Sequence, residues 1–329
     1  MSSLPLVDPE LVGMLDQDPW LDLSPENLPT ARALLGSMIV EAPTPPIIPE
    51  VVEIAGPDGA PPVSLRIFRP SAPRFGPYPA LYDVHGGGFV MGMASMSDIA
   101  NARRAAVLGC VVVSVDYRLA PEAPFPASLD DCDAGLAWLR ENAIGLGVDP
   151  ARIVVVGESA GGGLAAALSI LLRDRGQAMP AGLFLVYPML DCRTGTADEA
   201  HADPAKGEFR WNRASNRFGW SALRGAQAIP PERLGHFSPS LATDLHGLPP
   251  TFIAVGALDL FLEENKAFAG VLAKAGVPVD LHVYPGAFHG FDLVEKADVA
   301  RRFRADADGA LTRMLHRSSP QELPRKGMA

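Results

Sequence analysis

From about Val51 onward, short runs of apolar and β-branched residues recur along the chain, and segments with helical spacing separate them. The runs cover residues 80–84, 111–115, 152–156, 181–186, 251–255 and 279–283, and most are continuously apolar instead of alternating. Such runs suit strands covered on both faces, where both sides of the pleat must be apolar. Helical stretches intervene, for example at 128–142 and 160–175, and Gly176 marks a stop after the second. This alternation predicts an α/β fold, an open and mostly parallel central sheet flanked by helices on both sides. Chemistry in such sheets belongs at the carboxyl ends of the strands.

Two regions break the alternation. Residues 1–50 carry two short helical stretches, 8–16 and 25–38, and then a connection through Pro43, Pro45, Pro46 and Pro49. Ser24 followed by Pro25 reads as a helix N-cap and a first-turn proline. Residues 191–248 show no parallel-strand pattern but hold a helical stretch at 211–224, with Trp211, Phe218 and Ala222 on one face and Arg213, Arg217 and Arg224 on the other. The chain thus divides into N-terminal helices over 1–50 and an α/β domain over 51–329, with a helical insertion at about 191–248 laid over the sheet.

At 329 residues with 48% hydrophobic content, the chain can bury one large core. Its formal charge of -10 leaves no basic excess with which to hold a nucleic acid. Cys110, Cys132 and Cys192 are widely spaced and fit neither a disulfide framework nor a zinc site, so they read as reduced core thiols. The first residues lack a basic segment, Pro5 and Asp8 interrupt the apolar positions, and no run of about eighteen apolar residues occurs. A cytoplasmic protein without membrane insertion is expected. The tail 321–329, with Pro324, Arg325 and Lys326, reads as frayed.

Gly157-Glu158-Ser159-Ala160-Gly161 follows the run ending at Val156 and opens the helical stretch from Ala160, the setting of a nucleophile elbow. The bare pattern arises by chance about 0.2 times in a chain of this composition, so its place between strand and helix carries the weight. Without that place it would be an ordinary glycine-rich turn with a capping serine. His85-Gly86-Gly87-Gly88-Phe89 follows the run ending at Val84 in the same way. Its glycines let the N–H groups of Gly86 and Gly87 turn toward a developing oxyanion, with the N–H of Ala160 as a third donor at the positive end of its helix. His85 itself reads as a brace for that loop.

A serine hydroxyl needs a base to take its proton, and the base needs a partner to fix its tautomer. Among seven histidines, His289 alone stands in a glycine-flanked loop, Gly286 to Gly290, just beyond a strand end. His282 lies within an alternating strand pattern and reads as structural, whereas His201, His236 and His246 fall in or beside the insertion. Asp259 follows the run 251–255, giving the chain order Ser, Asp, His. Glu263 and Glu264 are the fallback orienters, otherwise solvated first-turn acids. Glu158 is expected to hydrogen-bond neighbouring loops. Phe89, Met91, Phe209, Trp211 and Phe288 are candidate pocket walls, bulky enough to favour short acyl chains, although Phe209 and Trp211 could equally be core.

His85-Gly-Gly-Gly-Phe89, Tyr117-Arg-Leu-Ala-Pro-Glu122, Gly157-Glu-Ser-Ala-Gly161 and His289-Gly290-Phe291 together resemble the hormone-sensitive-lipase-like esterases, bacterial family IV. The resemblance spans residues 80–293. It implies the α/β-hydrolase fold, Ser159, Asp259 and His289 as triad, Gly86, Gly87 and Ala160 as oxyanion donors, a small-molecule ester as substrate, no cofactor, no metal and a homodimer. It also implies that the N-terminal helices and the insertion form a cap. The family's Asp-Pro-Leu is here Asp259-Leu260-Phe261, a departure in the turn that follows the acid. Lactone or amide hydrolysis on the same triad, or a non-catalytic ligand-binding member of the fold, are the alternatives.

Overall fold

The six apolar runs form one side of a mixed sheet that two further strands extend. A computed structural model describes residues 2–16, 22–71, 76–200 and 202–316. Its strands are β1 (Glu50–Ile54), β2 (Val63–Phe68), β3 (Tyr78–Val84), β4 (Val111–Asp116), β5 (Val148–Glu158), β6 (Gly182–Val186), β7 (Thr251–Gly256) and β8 (Val279–Tyr284). They lie in the order β1-β2-β4-β3-β5-β6-β7-β8, with β1 and β2 antiparallel to their neighbours and all other pairs parallel. Sequence reading missed β1 and β2. Both are antiparallel strands near an edge, where alternation replaces a continuous run: in β2, Val63, Leu65 and Ile67 are buried while Ser64 and Arg66 are less so.

The helices are α1 (Val12–Leu15), α2 (Leu28–Val40), α3 (Asp98–Leu108), α4 (Ala127–Glu141), α5 (Ala143–Leu146), α6 (Ala160–Asp174), α7 (Arg213–Arg224), α8 (Leu234–Phe237), α9 (Leu262–Lys274) and α10 (Asp298–His316). Period-2 side-chain alternation divides the buried strands between two cores. Val113, Ile153, Val155, Leu183 and Ile253 face α4, α6 and α9 on one side. Val112, Val154, Val156, Phe184 and Phe252 face α3 and α10 on the other. Each fully buried side chain of this kind contributes roughly 1.5–3 kcal/mol, so the sheet is a rigid platform for what its carboxyl ends carry.

Three expectations need correction. The regular part of α2 begins later than the Ser24-Pro25 signal, at Leu28 with Asn27 before it, and Ser24 caps only the turn ahead of it: Ser24 N–H donates to Asn27 Oδ1 at 2.9 Å, Asn27 N–H to Ser24 Oγ at 3.4 Å and Leu28 N–H to Ser24 O at 3.0 Å. The stretch 8–16 is helical only over Val12–Leu15. Trp211 precedes α7, because Asn212 caps that helix by accepting from Ser215 N–H at 3.0 Å. Cys110 and Cys132 are buried thiols, and Cys192 is half-buried. Among the described residues, no helix is long and apolar enough to cross a membrane and no group of side chains could hold a metal ion. His201 and the tail 321–329 lie outside the described residues.

Candidate active site

Strand β5 ends at Glu158 and α6 begins at Ala160, leaving Ser159 alone to reverse the chain. It does so at φ 54° and ψ -120°, a left-handed conformation unfavourable for a residue with a β-carbon. The neighbouring glycines make the bend possible. A β-carbon on Gly161 would lie 2.1 Å from the Val84 carbonyl oxygen, and one on Gly157 would lie 2.3 Å from that of Gly161. The hydroxyl therefore stands clear of both strand and helix.

Two loops at the ends of β7 and β8 meet it. Ala257 N–H donates to Tyr284 O at 2.8 Å and Leu258 N–H donates to Ala287 O at 2.8 Å, which stitches the loop of Asp259 to the loop of His289. Ser159 Oγ lies 3.0 Å from His289 Nε2, and His289 Nδ1 lies 2.9 Å from Asp259 Oδ2. With Nδ1 protonated toward the carboxylate, Nε2 is left to accept from the hydroxyl. Asp259 is fully buried, and its other oxygen accepts from Phe261 N–H at 2.9 Å. That contact closes the turn without the proline usual at position 260. Rings of Tyr187 and Phe261 pack on His289 at 4.4 and 5.3 Å between centroids.

On the opposite side of Ser159 lies the glycine loop. Among the described residues, nothing accepts from the N–H groups of Gly86 or Gly87, and the first N–H of a helix, here Ala160, has no intrahelical acceptor. His85 is buried, its Nδ1–H donates to Gly86 O at 2.7 Å, and its ring stacks on Tyr117 at 4.1 Å. Tyr117 in turn donates to His85 O at 2.8 Å. Arg32 on α2 donates to Val90 O at 2.7 Å, to Ala120 O at 2.9 Å and to both oxygens of Glu122 at 2.7 and 2.8 Å. The N-terminal helix is thereby tied to the loop that carries Gly86 and Gly87, a link that sequence reading missed.

Ser159 and His289 sit in a cavity of about 480 Å³ whose walls include Gly86, Gly87, Met91, Trp211, Leu35 and Leu293. Met91 and Trp211 are among these walls and are also buried in the core. Phe89, Phe209 and Phe288 do not line it: Phe89 is buried against Trp220, and Phe209 packs on Phe288 behind the histidine loop. Their place is taken by Leu35, Met38 and Ile39 of α2 and by Met96 and Ile99. A hollow of about 530 Å³ at the other end of the sheet is lined by Pro250, Pro278 and Arg313 and holds none of these groups.

The remaining candidates fall into structural places. Glu264 is no solvated first-turn acid: it is buried, accepts from Leu190 N–H at 2.6 Å and from the Thr194 hydroxyl, and burial pushes its carboxyl well above the usual range. Glu263 pairs with Lys266 at 2.9 Å. His282 pairs with Asp280 at 2.8 Å, His236 with Asp174 at 2.8 Å and His246 with Asp244 at 2.6 Å. Glu158 accepts from Arg104 Nη2 at 3.0 Å and reaches the cavity wall. Arg104 also donates to Asp83 at 3.1 Å, and Asp83 accepts from Asn101 and Ser114 at 2.8 and 2.9 Å. Sequence reading missed this buried cluster. Its signal was Asp83 inside an apolar run.

Residues 81–293 match the family described as alpha/beta hydrolase fold. The chain is 34% identical to esterase LipI of Mycobacterium tuberculosis over 292 residues, covering 87% of this chain and 88% of that protein. It is 34% identical to carboxylesterase NlhH of the same organism over 322 residues, covering 95% and 97%. A solved bacterial heroin esterase superposes with a TM-score of 0.86 at 39% identity, covering 95% of this chain and 99% of the other. Likeness along nearly the whole length, on a sheet whose strand ends gather a serine, a histidine and an aspartate, leaves one assignment: the chain belongs to the α/β-hydrolase fold family, as a hormone-sensitive-lipase-like carboxylic ester hydrolase.

Proposed function

We propose that the enzyme hydrolyses short-chain acyl esters of varied alcohols, with Ser159 as nucleophile, His289 as general base and acid, and Asp259 as its orienter. The observation that carries this is the hydrogen-bonded line from Ser159 through His289 to Asp259, at 3.0 and 2.9 Å, opening on a cavity edged by Gly86 and Gly87. Ser159 Oγ attacks the ester carbonyl carbon as its proton passes to His289 Nε2. The carbonyl oxygen becomes an oxyanion among the N–H groups of Gly86, Gly87 and Ala160, where fixed dipoles meet charge that only the transition state develops. Collapse breaks the ester bond, and the imidazolium returns its proton to the leaving alkoxide. Water then attacks the acyl-enzyme by the same transfers in reverse, restoring the serine.

Residues 1–50 and the insertion at 191–248 act as the cap in this reading, since α2 and Trp211 wall the cavity. Short acyl chains are favoured because the Trp211 ring stands 6.4 Å from that of His289 and closes one side of the site. The wider apolar flank along α2 and Met96 suits alcohols of differing bulk. Matched esters, lactones and anilides test the assignment. Ester turnover well above that of the anilide and lactone is expected, and a preference for either of those would reassign the reaction.

A further inference from the structure

Three carboxylates and one guanidinium lie beneath the nucleophile. Asp83 from β3 and Glu158 from the end of β5 are both paired with Arg104 of α3, at 3.1 and 3.0 Å. Asp292, three residues beyond His289, accepts from the Tyr187 hydroxyl at 2.9 Å, and its charge interacts with both Arg104 and His289. Tyr187 packs on the imidazole and borders the cavity with Glu158. Asn101 and Ser114 donate to Asp83, and Arg210 lies on the same cavity wall. Asp83 is buried and held by Arg104, Asn101 and Ser114, whereas Glu158 and Asp292 are half-buried. Glu158 has its side chain 30% exposed, on the wall of the cavity, and can exchange its proton with solvent.

We propose that Glu158 is a positioning residue for the base: its carboxylate sets the charge of the ionic cluster that backs His289, and so the ease with which His289 takes the serine proton. The inference rests on the esterase reading. When Glu158 is ionised, the cluster carries the negative charge that stabilises the imidazolium formed in the transition state. When it is protonated, part of that help is gone. Burial moves its carboxyl up to about 7 against the pull of Arg104, with Asp292 and Asp83 adding to the rise. The switch therefore falls in the working range of an esterase, and activity gains from it as pH increases.

The test is the pH dependence of kcat and KM for one soluble ester in the parent, Glu158→Gln and Glu158→Asp proteins. The parent is expected to show two ionisations on the acid limb of kcat/KM. Glu158→Gln should show one, with kcat lowered about tenfold at pH 8 and KM nearly unchanged. Glu158→Asp should keep two ionisations, because it retains a titrating group. Phosphonate labelling of Ser159 in each variant reports whether the elbow is intact. A Glu158→Gln profile of the parent's shape, merely scaled down, would overturn the proposal, as would a parent limb with a single ionisation. Absence of ester turnover in the parent would overturn the esterase reading and this inference with it.

Discussion

Asp259 is fully buried and uses one oxygen on His289 and the other on Phe261 N–H. An amide there would keep the shape but could donate to Nδ1, fixing the wrong tautomer and withdrawing the charge that the imidazolium needs. Asp259→Asn is expected to fold normally and to lower kcat by roughly 10³ to 10⁴. Glu263→Gln should be nearly silent, since Glu263 faces Lys266 on the surface of α9. Steady-state kinetics on both variants check the assignment, and a larger loss in Glu263→Gln would move the orienting role. These residues were legible in the sequence because each stands just beyond an apolar run, where a loop at a strand's carboxyl end must lie. Arg104 was not, because its carboxylate partners Asp83 and Glu158 come from β3 and β5, which only the folded sheet brings to α3.

At the scale of elements, α2 walls the cavity, packs on the core through Leu28 and Leu35, and is tied to the glycine loop by Arg32. Arg32 makes two hydrogen bonds to backbone carbonyls besides its pair with the largely exposed Glu122. Hydrogen bonds of this kind contribute about 1 kcal/mol each, and the solvated ion pair adds less. Arg32→Ala should speed hydrogen exchange across Leu28–Val40 while leaving β5 protected; equal protection of α2 in both proteins would show that its packing alone holds it. The Arg32 guanidinium also holds the Glu122 carboxyl down to about 2. Because that group is more acidic in the folded chain, its contribution is complete above the ordinary carboxylate range, near 4.5, and fades as pH falls toward 2. The protection of α2 in the parent, taken against the intrinsic exchange rate at each pH, should therefore hold at pH 5 and fall only in stronger acid. The helix itself was visible in the sequence, but its start was not. Ser24 and Asn27 are both capping residues, and in the turn they bond to each other.

Over the whole molecule, the parallel half of the sheet was readable because β3 to β7 are covered on both faces and are mostly apolar. The antiparallel half was not, since β1 and β2 obey alternation, which a short segment shows only weakly. The pocket walls were the least legible part. They come from α2, the glycine loop, the segment before α7 and the histidine loop, so no local pattern distinguishes Met91, which lines the cavity, from Phe89, which does not. Affinity should rise by up to about 0.8 kcal/mol per methylene until the acyl chain meets Trp211, and overpacking should then lower the rate. Over p-nitrophenyl esters from acetate to palmitate, kcat/KM should peak at or below about eight carbons; a steady rise to sixteen would show that the acyl side is open. The most direct measurement is mass spectrometry of the protein after reaction with a phosphonate ester, compared with Ser159→Ala treated alike. One adduct on Ser159, appearing as ester turnover disappears, and none on the inactive variant, is the expected result; an adduct on another residue, or turnover that survives the loss of Ser159, would contradict it.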